Sequence, residues 1–254
     1  DNAQCYLSKY KEKNTGTIGH IASWSFENSK HISCGEGGII TTDNEEYAEM
    51  CRKVAGHGYK NLKATEGQVR LNQEIYQDPN YKRHDTLGWN YRLSEILAAV
   101  AVAQLEDIEQ KVALRKKNAS IFLDVMKNSD FFTPQFVPEC CDHSYFTLGV
   151  LYEGYEKYGI TWQEFRKKYI SFGGDGFYGA WSVPYLEPLI SERKYANRCP
   201  DIYKDLKYQK GLCPIAERIQ PKIMQFKTNY RDISLTQIKA EALKKTINFY
   251  GENK

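Results

Sequence analysis

One glycine-flanked loop between two short apolar runs constrains this chain more than any other stretch. Ile18 to Phe26 (IGHIASWSF) is rich in β-branched and aromatic residues and follows the turn-like Asn14-Thr15-Gly16, so it reads as a strand. Gly38 to Thr42 (GIITT) reads as a second. Between them run Glu27-Asn28-Ser29-Lys30-His31-Ile32 and then Gly35-Glu36-Gly37-Gly38, a loop whose glycines let the backbone approach something closely. A lysine on such a loop, five residues after Ser25, is a way to hold an amine beside a phosphate-bearing cofactor. Asp1-Asn2-Ala3-Gln4 offers a carboxylate and an amide three positions apart, the partners a pyridoxal ring needs. The chain reads as part of an enzyme that works through a lysine imine.

The 254 residues suffice for one large domain, or a large and a small one, with a sizeable core. A net charge of +3, without a Lys/Arg block or a stacking platform, argues against a nucleic-acid surface. The apolar tracts are too short to span a membrane. The start shows no cationic, apolar-cored leader, so nothing marks export. Seven scattered cysteines (Cys5, Cys34, Cys51, Cys140, Cys141, Cys199, Cys213) then read as reduced thiols in cytoplasm. Cys140-Cys141 with His143 lacks the spacing of a structural zinc site, and no metal is expected. Asp1 opens directly on what reads as the end of a buried strand, without an initiator Met, so the chain is expected to be the later part of a longer protein.

Further along, Asp43 to Ala55 reads as a helix, with Asp43 as N-cap, Glu46 completing a capping box and Gly56 as the stop. Residues 57–88 are polar and irregular, a length of loop that usually carries function. From Ser94 a long amphipathic helix follows (Leu97, Val100, Ala101, Gln104, Leu105, Ile108, Val112), continuing bent or broken through Ile121-Phe122-Val125. After Asn128 comes a β-rich stretch, with Ser144–Tyr152 its clearest strand, then a helix near Trp162–Tyr169 and an aromatic, glycine-rich loop, Phe172 to Trp181. Two helices are predicted at the end, Ala216–Phe226 and Thr236–Tyr250, the latter capped by Ser234. A single domain boundary is expected near residue 128.

Four stretches in order resemble the DegT-type sugar-nucleotide aminotransferases. Asp1-Asn2-Ala3-Gln4 resembles their Glu-Asp-Ala-Ala-Gln/His segment, and Ser25–Lys30 with Gly35-Glu36-Gly37-Gly38 resembles their Ser-Phe-x-x-x-Lys…Gly-Glu-Gly-Gly loop. Gly88-Trp89-Asn90-Tyr91-Arg92-Leu93-Ser94-Glu95 resembles Gly-Tyr-Asn-Tyr-Arg-Met-Ser-Glu, and Cys213-Pro214-Ile215-Ala216-Glu217 resembles Cys-Pro-x-Ala-Glu. Each alone is a weak match; four in register are strong.

The resemblance implies an α/β fold: the C-terminal part of a fold-type-I pyridoxal-phosphate (PLP) transferase large domain (1–128, partial), followed by a smaller α+β C-terminal domain (129–254). It implies pyridoxal 5'-phosphate as cofactor, with Lys30 as the imine-forming and proton-relaying residue. Asp1 would sit against the pyridine nitrogen and keep it protonated. Gln4 would lie near the phenolic oxygen, or be an ordinary surface residue. Ser25 would donate to the phosphate, and Asn90 would reach the phosphate across a homodimer interface from the second subunit, a role compatible with capping the Ser94 helix. Arg92 is assigned no cofactor role. Tyr178 and Trp181 could line a sugar mouth or be packing residues, and stay outside the site.

The implied reaction transfers an amino group, from glutamate as in the family, to a keto-deoxysugar nucleotide for surface-polysaccharide biosynthesis. Related sugar 3-dehydratases carry histidine where the aminotransferases carry lysine; here lysine holds that position and His31 follows. The alternatives are that dehydratase chemistry, or a non-catalytic scaffold that keeps only the interface.

Overall fold

A computed structural model describes residues 1–195 and 205–251; Cys199 and the side chain of Tyr178 lie outside what it describes. The chain forms two compact units, Asp1–Ala113 with Val137–Phe146, and Leu114–Phe136 with Thr147–Lys254. The division thus falls inside a continuous helix, and one later segment returns to the first unit, where the sequence predicts a single boundary near residue 128.

In the first unit the two expected strands are Ala22–Ser25 and Gly38–Thr41, paired antiparallel with Ser25 opposite Gly38. A Cβ on Gly38 would sit 2.7 Å from the Trp24 carbonyl oxygen, so only glycine lets the strands close here. The loop after Ser25 folds back under itself. Its Phe26, Ile32 and Cys34 join Tyr6 and Ala101 in one buried cluster, with Trp24, Leu93, Leu97 and Ile108 packed against it.

The next helix spans Glu45–Ala55 and ends at Gly56 as expected, but its cap is Asn44, whose side chain accepts from Tyr47 N at 3.0 Å. Thr42 Oγ1 accepts from Asn44 N at 3.1 Å, and that turn starts the helix one residue later than Asp43 would. Residues 57–88 hold a hairpin (Leu62–Lys63 with Gly67–Gln68) and a short helix, Gln73–Gln77. At the end of this stretch Gly88 meets Gly58; a Cβ on Gly88 would lie 2.1 Å from Gly58 N. That close approach lays Trp89-Asn90-Tyr91 along the end of the Glu45–Ala55 helix, with Trp89 N donating to Val54 O at 2.7 Å and His57 N to Trp89 O at 2.9 Å.

The long helix is broken into Glu95–Leu105, capped by Ser94, and Ile108–Met126. Lys111 Nζ bridges the break, donating to Gln104 O at 3.1 Å and Gln104 Oε1 at 2.9 Å. A three-stranded sheet completes the unit: Lys13–Asn14, Lys9–Tyr10 and Cys141–Asp142, in that order. Its hairpin turns through Lys11 and Glu12, both at positive φ (47° and 65°), without the Asn-Gly or Asp-Gly signature such turns favour.

The second unit is an antiparallel sheet in the order Tyr178–Gly179, Ile223–Lys227, Thr147–Tyr152, Phe132–Pro134, with helices Trp162–Ser171 and Ile233–Gly251 in contact with each other. Thr161 and Glu164 form a full capping box at the start of the first of these. The helix predicted over Ala216–Phe226 is corrected. Only Pro214–Ile219 is α-helical, a 3₁₀ turn spans Gln220–Lys222, and Ile223–Lys227 is a strand. Pro221 removes a backbone donor and ends the helix, after which Met224 and Phe226 alternate into the core at the strand period. Ser234 likewise lies inside the last helix, and Asp232 Oδ1 accepts from its N–H at 2.9 Å.

Two polar sites hold this unit's loops. Asn118, fully buried, donates to Thr228 O and Tyr230 O at 2.9 and 2.8 Å and accepts from Thr236 Oγ1 at 2.8 Å. Asp175, in the aromatic loop, accepts from Tyr230 OH at 2.8 Å and pairs with Lys239 Nζ at 2.7 Å. Burial pushes the Asp175 carboxyl up, but the bonds from Lys239 and Tyr230 outweigh it and hold the group below its ordinary value of 3.8. Its stabilising contribution is therefore present above that pH and lost as the pH falls through the lower, folded value. Asp175→Asn is expected to lower the urea midpoint at pH 7 and to cost progressively less as the pH is taken down below 3.8; a loss that does not change with pH would refute the ionic contribution.

Among the described residues no helix is long and apolar enough to cross a membrane.

Candidate active site

The lysine loop is shaped by its own short bonds. Glu27 and Gly35 bridge its mouth, and Cys34 N donates to Phe26 O at 3.1 Å. Inside, the Glu27 carboxylate accepts from Ser29 Oγ at 2.5 Å and Ser29 N at 3.0 Å, bonds that hold it below the usual carboxylate range. Lys30 N donates to Glu27 O at 3.1 Å, which closes the turn at whose end the lysine stands.

Lys30 is half-buried, and its Nζ lies 5.0 Å from the centre of the Phe146 ring, a cation–π contact. His31 also meets Phe146. It is buried between Tyr6 and Phe146, ring centres 5.6 and 5.8 Å away, with Nε2 3.4 Å from Ser144 O. The residue after the lysine is thus the loop's anchor.

The Asp1–Gln4 segment docks on the strand that leads into this loop. Asn2 N donates to Ser23 O at 2.9 Å, and Tyr6 OH donates to Ser25 O at 2.7 Å. Burial, then the neighbouring Cys34, pushes the Tyr6 phenol up to about 12, so it stays a neutral donor. Asp1 is exposed and its Oδ1 accepts from Ala3 N at 2.9 Å. Gln4 is exposed. Ser25 Oγ accepts from Glu27 N at 3.2 Å, which leaves its own hydrogen to donate.

Asn90 stands apart. Its Oδ1 accepts from Arg92 Nε at 3.1 Å and its backbone bridges to Gly56, so its bonds run to the helix end and not to the lysine loop. Arg92 Nη2 reaches His57 Nε2 at 3.3 Å. The Cys-Pro-Ile-Ala-Glu stretch has a local task in the second unit. Pro214 opens a helix, and Glu217 accepts from Tyr185 OH at 2.6 Å and Gly211 N at 2.7 Å, fastening the preceding loop. Trp181 is almost fully exposed.

Tyr6 and Phe146 were not legible as site residues. Phe146 lies 116 positions after Lys30 in the sequence, within a run that reads only as strand.

Asp1, Gln4, Ser25 and Lys30 thus lie on two segments that the Asn2–Ser23 and Tyr6–Ser25 bonds hold together. The same architecture occurs in known proteins. An aminotransferase from Psychrobacter cryohalolentis of solved structure superposes with a TM-score of 0.76 at 21% identity, over 100% of this chain and 61% of its own. That likeness makes the fold an aminotransferase α/β fold. The chain belongs to the DegT/DnrJ/EryC1/StrS aminotransferase family, which it matches over residues 1–226. GDP-perosamine synthase of Escherichia coli O157:H7 is 31% identical over 48% of this chain and 29% of its own length. GDP-4-keto-6-deoxy-D-mannose 3-dehydratase of Escherichia coli O55:H7 is 29% identical over 53% and 35%. The broader matches take in 50% and 61% of the relative, so the chain spans little more than half the length of such proteins.

Proposed function

We propose that the protein is a PLP-dependent sugar-nucleotide aminotransferase, with Lys30 as its catalytic residue and Asp1, Gln4, Ser25 and Asn90 toward the cofactor. The observation that carries this is the docking of the Asp1–Gln4 turn on the strand that leads to Lys30, through Asn2 and Tyr6. Bound there, PLP would supply an electron sink for cleaving the donor's Cα–H bond. Lys30 would hold the cofactor aldehyde and then, as a released amine, move the proton. Asp1 would carry the negative charge opposite the ring nitrogen, and Ser25 would donate its hydroxyl hydrogen to the phosphate.

On this reading the cofactor-binding domain is built from residues 1–128 and completed by the returning segment Val137–Phe146, and the rest of residues 129–254 form the small domain. The enzyme is a cytoplasmic homodimer. Helix Glu95–Leu105 (EILAAVAVAQL) supports the dimer: it is apolar around its circumference, yet only Ala101 is buried, while Ile96 is 78% exposed. Asn90 sits just ahead of that helix, as a residue reaching a second subunit's site would.

The dehydratase among the relatives keeps that chemistry as the rival reading. The burial of His31 against Tyr6 and Phe146, with Lys30 in the position before it, supports amine transfer over that rival. The test supplies the full-length protein with ¹⁵N-glutamate and a 4-keto-6-deoxysugar nucleotide. The label is expected in the sugar product. Label released as ammonia with loss of a ring hydroxyl would make it a dehydratase, and no turnover with any keto-sugar nucleotide would favour the scaffold.

A further inference from the structure

Cys140 and Cys141 have no part in the proposed reaction, and their placement is specific. Their sulfurs are 4.0 Å apart, with Cys140 exposed and Cys141 half-buried. The backbone around them is fixed: Lys11 N donates to Cys140 O at 2.7 Å, Cys141 N to Pro138 O at 2.9 Å, and Cys141 pairs with Tyr10 in the three-stranded sheet.

Two touching thiols can close a disulfide, act singly as nucleophiles, or share a soft ion. The disulfide is disfavoured by geometry. Neighbouring Cα atoms across a trans peptide are about 3.8 Å apart, below the roughly 4.4–6.8 Å that disulfides span, so closure would break the pairing with Tyr10. Single nucleophilic action is disfavoured at Cys141, whose thiol is pushed up by desolvation and then by the adjacent Cys140. Zinc is disfavoured by ligand number, since a structural site takes four ligands and the described residues contain no cluster of three or more His, Cys, Asp or Glu able to hold a metal. His143 Nδ1 already accepts from Tyr145 N at 2.8 Å. A centre that needs only two sulfurs remains.

We propose that Cys140–Cys141 is a chelating site for trivalent organoarsenicals, a soft centre bridged by both sulfurs. The step is a condensation. An R–As(OH)₂ centre forms two As–S bonds and loses two As–O bonds, and each departing hydroxide takes a thiol proton and leaves as water. No atom changes oxidation state. The bridging atom lengthens the link between the sulfurs, which removes the geometric objection to a disulfide. This inference is independent of the Lys30 reading.

The test titrates the reduced full chain with phenylarsine oxide, following intact mass, the count of thiols reactive to an aromatic disulfide, and the site by peptide mapping. One equivalent is expected to add on residues 140–141, to remove two reactive thiols together, and to be released by 2,3-dimercaptopropanol but not by an equal concentration of a monothiol. Cys140→Ser and Cys141→Ser are each expected to weaken binding by ~10²-fold or more, the advantage of a tethered second contact. Cys213→Ser should change nothing. Cys140 is exposed, so its serine variant tests the site without disturbing the core. An adduct that maps elsewhere, or that persists undiminished in both variants, overturns the proposal.

Discussion

Lys30→Ala is expected to abolish covalent fixation of the cofactor by borohydride and to lower amino transfer by ~10³-fold or more, because one side chain serves as both the attachment point and the proton relay. The loop itself should survive the change. Its shape rests on Glu27 with Ser29, on the Glu27–Gly35 bridge, and on buried Ile32 and Cys34, none of which involves the lysine side chain. Loss of the adduct at unchanged far-ultraviolet circular dichroism would therefore be a chemical effect. Lys30→Arg keeps the charge over Phe146 but cannot form the imine, and it should fail equally. An undiminished adduct in either variant, mapped to another lysine, would move the chemistry off this loop.

Phe165→Ala is expected to be the most damaging substitution for stability, at ~3–5 kcal/mol. Phe165 is fully buried, and its ring centre lies 5.2 Å from both Phe131 and Phe132, 5.6 Å from Tyr152 and 5.8 Å from Tyr250. It is thus the hub where the sheet's edge strand meets the Trp162–Ser171 and Ile233–Gly251 helices. Truncation leaves a void bounded by rigid rings that have no rotamer with which to fill it. The urea midpoint should fall with little change in slope. A loss below ~1 kcal/mol would mean that the aromatic cluster collapses to close the gap.

What the residues disclosed was local. The Ala22–Ser25 and Gly38–Thr41 pair, the Gly56 stop and the Ser94 cap each follow from a signal within a few positions: β-branched runs, a glycine at a helix end, a hydroxyl ahead of a helix. The helix expected over Ala216–Phe226 overruns into the strand at Ile223 because Ile223, Phe226 and the apolar residues before them also satisfy a helical spacing; Pro221 is the local clue that the period changes. Other features carried no local mark. The Lys9–Asn14 hairpin turns through two ordinary residues at positive φ. Asn118 reads as any polar residue in a helix until Thr228, Tyr230 and Thr236 close around its amide. Phe146 comes near Lys30 only because the backbone returns after a long excursion, and periodicity says nothing about such returns.

That excursion bears on how the protein can be made. Ser8 bonds Ser144 across 136 positions, and Tyr10 pairs with Cys141. A ribosome must therefore release the whole intervening stretch before the lysine's surroundings can assemble, and the entropy of bringing such distant partners together has to be met first. Cutting the gene near residue 128 would not yield a self-sufficient half: it would strip away Phe146 and leave the Lys9–Tyr10 edge unpaired, open to pairing with other chains.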